Sequence, residues 1–296
     1  MTKVKFTGVK TLDFVDQFNS DNDCLEYIST IKWAEGYSCK KCKNTTFCVG
    51  KKAFSRRCIK CRYDESPTVG TGFDKCKFSL LTAFHIIFKI STKKKGMSTL
   101  EISNEFGLRQ KTCWDFKWKL QQVMKSSKKH PLEGEIHVDE FLVGGQEEQK
   151  RGRSKGKKKL IIVALEKVKG GVGRAYAQQI ESSSSKEFTP FFDDYISKEA
   201  IIITDEWRGY LPLKKTYSGL TQVPSNSGKN FLDLHIHIMN IKGWLRGIHH
   251  HCSKEQMQGY LDEYHFRYNR RNNLGTIFHL LLERMVNNAP IRLKRT

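Results

Sequence analysis

The chain has 296 residues, of which 38% are hydrophobic and 11% aromatic, a composition typical of a folded protein and not of a disordered one. Its 52 Lys and Arg residues outnumber 31 Asp and Glu residues and give a formal net charge of +21, which favours a polyanionic partner such as nucleic acid. No apolar run reaches the roughly 18 residues that span a bilayer, and the first residues lack the apolar stretch of a signal peptide. We therefore expect an intracellular protein whose nine cysteines are mostly reduced.

Composition divides the chain into five predicted segments. An N-terminal helical segment precedes a Cys-rich, turn-rich one, and then come a stretch with helical spacing, an alternation of strands and helices, and a basic tail. Their predicted bounds are 1–30, 31–72, 73–130, 131–285 and 286–296. A basic run at 150–159, KRGRSKGKKK, interrupts the fourth segment after its first strand and is predicted to be a hairpin loop.

Two C-x-x-C pairs carry a strong local signal. Cys39 and Cys42 are followed, after fifteen residues, by Cys58 and Cys61. Four thiolates at this spacing typically bind one Zn²⁺ tetrahedrally and hold a small ribbon that has little core of its own. Cys48 lies between the pairs at a spacing that suits a ligand less well. We predict a structural zinc ribbon; the alternatives are a set of free thiols or a degenerate ribbon that has lost its metal.

The helical segment has the outline of a helix-turn-helix. Ser98 and Glu101 form a capping-box pattern that begins one helix, Gly107 ends it, and a longer helix follows. Exposed residues at the start of a recognition helix reach base edges in such motifs. The residues predicted to contact DNA there are Arg109, Gln110 and Lys111. The alternative is a helical linker that packs on its neighbours.

Two aspartates lie on predicted strands of the fourth segment. Asp139 is in the middle of the alternating stretch EIHVDEFLV, on the side opposite Ile136 and Val138, where a buried carboxylate is costly unless it is paired or binds a metal. Asp205 follows the apolar run AIIIT, and the carboxyl end of a buried strand is a common place for a site residue. On neighbouring strands the two would bind Mg²⁺ (or Mn²⁺), and two such ions support phosphodiester chemistry. The pair favours a nuclease or a strand-transfer site.

The stretch HIHIMNIKGWLRGIHHH, from His235 to His251, is predicted to be a helix with an apolar stripe. Asn240 is predicted to supply a third metal ligand through its amide oxygen, and Lys242 to reach the scissile phosphate or flanking DNA. His235 and His237 are predicted to pack, with contact to the site or to DNA as the alternative. Further cations predicted to contact DNA are Arg246, Arg270 and Arg271.

With these motifs in order along residues 15–275, the chain resembles the ISXO2-like insertion-sequence transposases of the IS1595 family, related to the Merlin elements. The motifs that carry the resemblance are the two C-x-x-C pairs, SPTVGTGFDKCKFSL, HVDEFLVGG, ITDEWRGY, and the histidine-rich helix running into YLDEYHFRYNRR. The resemblance implies a zinc ribbon, a helix-turn-helix-like DNA-binding region and a ribonuclease-H-like catalytic domain, in which helices flank a mixed sheet.

The resemblance also implies a catalytic set. Asp139 and Asp205 match the first two metal-binding aspartates of the family. The third position is normally Glu, but some branches have Asn followed by Lys, and Asn240 with Lys242 matches that pattern. This departure leaves open an active Asn-type enzyme or a decayed copy.

The activity implied is Mg²⁺-dependent cleavage and strand transfer of double-stranded DNA, acting on the terminal inverted repeats of the element and on target DNA. Such an enzyme is expected to work as a homodimer or higher assembly, in the cytoplasm or nucleoid of a bacterium or in a eukaryotic nucleus. Two alternatives stay open: a non-catalytic DNA-binding regulator that uses only the ribbon and the helix-turn-helix, and a nuclease without strand transfer.

Overall fold

A computed structural model gives the fold and describes residues 5–144, 158–249 and 252–290. The chain divides into two compact units, one formed by the residues up to Met124 together with those from Asn272 on, the other by Lys125–Arg271. Within the described ranges, no helix is long and apolar enough to cross a membrane. Most of the basic run at 150–159, predicted to be a hairpin loop, and the end of the predicted tail lie outside the described residues.

The first unit begins with two helices and a small sheet. Ser20 begins the second helix through a reciprocal capping box with Asp23. The sheet is antiparallel, in the order β1-β2-β3. The elements are α1 (Thr11–Gln17), α2 (Asp21–Lys32), β1 (Phe47–Val49), β2 (Arg56–Cys58) and β3 (Asp64–Glu65).

Three helices follow in the same unit: α3 (Leu80–Thr92), α4 (Thr99–Phe106) and α5 (Gln110–Met124). The Ser98 hydroxyl accepts a hydrogen bond from the Glu101 N–H at 3.1 Å and begins α4 as predicted. Gly107 ends that helix with a left-handed φ of 63°, a conformation that glycine adopts at no steric cost. Two helices and a short turn are therefore present where the helix-turn-helix is predicted.

The second unit is built on a five-stranded mixed sheet in the order β6-β5-β4-β7-β8. β4, β5 and β6 form antiparallel neighbours, whereas β7 runs parallel to β4 and β8 parallel to β7. The strands are β4 (Glu135–Val143), β5 (Lys159–Val168), β6 (Gly171–Ile180), β7 (Ile201–Thr204) and β8 (Leu220–Gln222). A mixed sheet with helices is the α/β arrangement predicted from the sequence.

Helices cover both faces of this sheet. The alternation of β4 is as predicted: Ile136 and Val138 join the core on one face, and Phe141 joins the core on the other. The first core includes residues of α6 (Ser185–Tyr195) and of a 3-10 helix, Arg208–Lys215; the second includes residues of α7 (Leu232–Ile248) and α8 (Lys254–Tyr268). Asp139 therefore lies on the α7 side of the sheet.

The last described helix, α9 (Ile277–Asn287), belongs to the first unit, although 131–285 is the predicted catalytic domain. Its Phe278 ring lies 5.4 Å from the rings of Phe6 and Phe14, within an aromatic cluster. The apolar periodicity of this helix predicts burial, but it does not indicate which core the helix joins.

Candidate active site

The parallel pairing of β4 with β7 brings the two predicted aspartates together. The register pairs Val138 with Thr204 on strands that lie about 4.8 Å apart, and Asp139 and Asp205 are the residues that directly follow this pair. Alternation along β4 directs the Asp139 side chain to the α7 face. The negative charge of Asp205 adds to the effect of burial in raising the pKa of Asp139, which is consistent with this proximity.

The Asp139 carboxylate is held at both oxygens. Oδ1 accepts a hydrogen bond from the N–H of Glu140 at 2.7 Å, and Oδ2 lies 3.3 Å from Nε2 of His235. Its side chain is 22% exposed. Burial is the main cause that raises its pKa, and these two partners only oppose it. A desolvated acid beside a second acid is an arrangement that a divalent cation would stabilise.

His235 contacts Asp139. Of the two expectations for this residue, the structure therefore supports contact with the site and not packing alone. It stands on the first turns of α7, and its ring occupies space that only a glycine at position 228 leaves open. A Cβ built on Gly228 would lie 2.4 Å from Nδ1 of His235. His237, in contrast, is buried, and its Nε2 lies 3.2 Å from Nε2 of His265. His237 packs as predicted.

Lys242 shares the helix face of His235, and Asn240 does not. At about 100° per residue, Lys242 is about 20° around α7 from His235, whereas Asn240 is about 140° away. The Lys242 ammonium lies 5.3 Å from the centre of the Phe141 ring, and its pKa is lowered mainly by burial. Asn240 is exposed, and among the described residues no contact joins it to either aspartate. The structure thus brings Asp139, Asp205, His235 and Lys242 together.

Helical spacing could have identified His235 from the sequence. A residue that acts with Lys242 from one helix face is expected three, four or seven positions away. His235 is seven positions before Lys242, but Asn240 is only two. The expectation for Asn240 rests on its amide oxygen, on the helix face that it shares with Gly243 and Gly247, and on the family pattern, and not on its spacing from Lys242.

Two further contacts at the site carry no local sequence signal. On the face opposite Asp139, the buried Tyr210 hydroxyl donates a hydrogen bond of 2.7 Å to Oε2 of Glu140. Burial raises the pKa of Tyr210, so the hydroxyl keeps its proton. On β8, the Gln222 amide donates to the backbone carbonyls of Asp205 and Trp207. These partners come from distant segments of the chain.

The residues predicted to contact DNA fall into two groups. Arg109, Gln110 and Lys111 are exposed at the start of α5, although Lys111 also pairs with Asp115. Arg246 is exposed on α7, and its Nε donates to the carbonyl of Lys242. The guanidinium groups of Arg270 and Arg271 form the second group and donate hydrogen bonds to backbone carbonyls of their own unit. Arg270 donates to Phe266, and Arg271 donates to Tyr268 and Val172.

The two C-x-x-C pairs converge on one point in the first unit. The ligand atoms of Cys39, Cys42, Cys58 and Cys61 all lie within 4.8 Å of one another. The Sγ atoms of Cys39 and Cys61, and those of Cys42 and Cys58, are 3.5 Å apart, close to the roughly 3.8 Å between ligands of a tetrahedral zinc site. Cys48 is exposed on β1 and is not part of this group.

The pKa values of Cys39 and Cys58 are lowered, as suits metal ligands, whereas burial and the other three thiols raise the pKa of Cys61. The backbone N–H of Cys61 is the main cause that lowers the pKa of Cys58 to about 6, and the thiol of Cys42 acts in the same direction. A thiolate is the form that binds zinc. These four cysteines could therefore hold Zn²⁺.

The donor set in the second unit fits a divalent cation of another kind. Two carboxylates supply hard oxygen ligands of the type that Mg²⁺ and Mn²⁺ prefer, and the imidazole of His235 supplies a nitrogen. All three side chains are partly open to solvent, so a phosphate group could approach them.

Comparison with known families gives one match, which lies in the second unit. The family model described as the ISXO2-like transposase domain matches residues 131–269, almost the whole of the second unit. No curated protein matches the chain. The matched range includes both aspartates, His235 and Lys242, and it bears out the resemblance seen in the sequence. Residues 131–269 therefore form a domain of the ISXO2-like transposase family.

Proposed function

We propose that this transposase binds the ends of its element and catalyses divalent-metal-dependent cleavage and strand transfer of DNA, on a ribonuclease-H-like domain. The observation that carries the proposal is the cluster of Asp139, Asp205 and His235 at the junction of β4, β7 and α7, with Lys242 on the same helix face. The net charge of +21 supports a nucleic-acid substrate.

The residues of the cluster would have two tasks, metal binding and phosphate contact. Asp139, Asp205 and His235 would hold the divalent cations, Mg²⁺ or Mn²⁺. When bound, such ions activate the attacking oxygen and stabilise the leaving oxygen of an in-line displacement at phosphorus. Lys242 would neutralise charge on the DNA phosphate beside them. The ligand role predicted for Asn240 stays a prediction; its helix position suits contact with DNA better.

The first unit would provide recognition. The four cysteines would hold a structural Zn²⁺, and α4 with α5 would act as the helix-turn-helix, with Arg109, Gln110 and Lys111 towards the DNA. Arg246 on α7 would add a phosphate contact near the catalytic cluster. Because two element ends must be held at once, we propose a homodimer or higher assembly on DNA.

The alternatives differ in what they require of the aspartates. A regulator that only binds DNA gains nothing from a partly buried pair of acids, whose desolvation is costly. The intact pair also argues against a decayed copy. A nuclease without strand transfer would use the same cluster, so only an assay of joining separates it from a transposase.

The test is a joining assay. A duplex with a free 3′-hydroxyl, taken from the DNA that flanks the coding sequence, is incubated with supercoiled plasmid and Mn²⁺. We expect wild-type protein to join the two DNAs and Asp139→Asn to bind the duplex without joining it. Glu199→Gln, at an exposed carboxylate of the same unit, is the matched control. Joining by Asp139→Asn at the wild-type rate would refute the proposal, and cutting without joining would identify a nuclease.

A further inference from the structure

Asp205 lies just beyond the point where its strand leaves the sheet. β7 ends at Thr204, which pairs with Gln222 of β8, and the last ladder bond runs from the N–H of Val223 to the carbonyl of Thr204 at 3.0 Å. Asp205 and Trp207 follow the last residue of that ladder in the sequence. The orientation of the Asp205 carboxylate therefore depends on how this turn is held.

One side chain holds the turn at two points. The Nε2 atom of Gln222 donates to the backbone carbonyl of Asp205 and to that of Trp207, both at 3.0 Å. These bonds use both protons of the amide. Gln222 in effect continues the hydrogen bonding of β8 past the end of β7.

Other contacts tie the same turn to its surroundings. Oδ1 of Asp205 accepts a hydrogen bond from the N–H of Trp207 at 3.1 Å, which orients the carboxylate within the turn. The indole N–H of Trp207 donates to the carbonyl of Ser183 at 2.7 Å. A Cβ on Gly209 would lie 2.7 Å from that same carbonyl, so the chain comes too close here for a larger residue. With the turn fixed in this way, rotation of Asp205 away from Asp139 is restricted.

We propose that Gln222 is a positioning residue, which keeps the Asp205 carboxylate in the orientation that a divalent cation shared with Asp139 requires. This inference rests on the proposed function, because it presumes a metal site at the two aspartates. Groups that orient metal ligands typically contribute 10–100-fold to metal affinity. A side chain of equal length without N–H donors cannot make either bond, so Gln222→Met removes the role while it keeps most of the volume.

The test measures binding of Mn²⁺ to the full-length, DNA-free protein by electron paramagnetic resonance, together with the Mn²⁺ dependence of DNA cleavage. We expect Gln222→Met to weaken Mn²⁺ binding by about tenfold or more, and cleavage to recover at saturating Mn²⁺. Thr221→Val, at the exposed neighbour on β8, is the control and should bind Mn²⁺ as wild type does. Gln222→Leu replaces Gln222→Met if the latter does not fold.

A purely structural role predicts a different result. Gln222→Met would then unfold at a lower temperature but bind Mn²⁺ normally well below that temperature, and this outcome would overturn the inference. Asp205→Asn separates the inference from the proposed function. If Asp205→Asn loses Mn²⁺ binding and Gln222→Met does not, only the role of Gln222 is wrong. If Asp205→Asn also binds normally, the metal site itself is wrong and both proposals fail.

Discussion

The imidazole Nε2 of His235 lies 3.3 Å from Oδ2 of Asp139. This contact joins the first turns of α7 to the middle of β4, and it shows which face of α7 lies towards the two aspartates. Lys242 lies two turns further on that face, and Asn240 lies on the opposite side of the helix. The first two predictions follow from this arrangement.

Substitution of His235 should impair catalysis far more than substitution of Asn240. We expect His235→Ala to reduce the rate of DNA cleavage by about 10–100-fold, because it removes a side chain that contacts Asp139 and would ligate metal. Asn240→Ala should leave the rate within a few-fold of wild type. Single-turnover cleavage at fixed Mn²⁺ concentration measures both. If Asn240→Ala is inactive and His235→Ala is active, the third ligand is the one that the family pattern predicts.

The metal preference should follow the identity of residue 235. Mg²⁺ strongly prefers oxygen ligands, whereas an imidazole nitrogen suits transition metals. We therefore expect wild-type protein to cleave faster with Co²⁺ or Mn²⁺ than with Mg²⁺, and His235→Glu to lower that ratio of rates by roughly tenfold. Asn240→Glu is the matched control and should not change the ratio. An unchanged ratio in His235→Glu would remove His235 from the ligand set.

Local patterns in the sequence account for much of this site. Alternation along EIHVDEFLV predicts the face of β4 on which Asp139 lies, and the spacing of Cys39, Cys42, Cys58 and Cys61 predicts their convergence; both are confirmed. Each pattern works because its residues are joined by a short, regular piece of chain. The outcome at α7 is less direct, since the family pattern and the shared face with Gly243 and Gly247 indicate Asn240, whereas the spacing from Lys242 indicates His235.

The distant hydrogen-bond partners of residues at the site could not be predicted in this way. Tyr210 is seventy positions from Glu140 in the sequence, and Gln222 is seventeen from Asp205. Contacts of this kind depend on strand order and on the path of a turn, which alternation and periodicity do not specify. The placement of α9 in the first unit is a further example, because burial of Phe278 is equally compatible with either core.

Removal of zinc should unfold the ribbon. The four cysteines surround a point with little apolar core: among the described residues, the buried cluster there consists of Trp33, Tyr37, Cys39 and Cys58, with Cys42 and Tyr63 packed against it. Most of the stability of the ribbon would therefore come from the metal. We expect about one Zn²⁺ per chain by elemental analysis, and its loss in Cys58→Ser. Cys48→Ser should keep the metal, because Cys48 lies outside the group. Full zinc content in Cys58→Ser would contradict the assignment.

The stability of the second unit should depend on pH through Asp262 on α8. Oδ1 of this residue accepts a hydrogen bond from Gln258 at 3.0 Å, but Oδ2 is buried with no hydrogen-bond partner among the described residues. Burial raises the pKa of Asp262 from 3.8 to about 6. The folded state therefore binds the proton more tightly than the unfolded state does. The resulting stabilisation is complete below about pH 4 and is lost as the pH rises through about 6.

Asp262→Asn should remove this dependence, since the amide keeps the acceptor for Gln258 and carries no charge. A shift of about two pKa units corresponds to at most about 3 kcal/mol, so we expect the variant to be up to that much more stable than wild type at pH 7.5. Below pH 4 the difference should disappear. Urea denaturation at both pH values measures it, with Glu133→Gln, at an exposed carboxylate of the same unit, as the control. If Asp262→Asn were less stable than wild type at pH 7.5, the ionised carboxylate would have to make a stabilising contact in the folded protein, and the sign of this argument would be reversed.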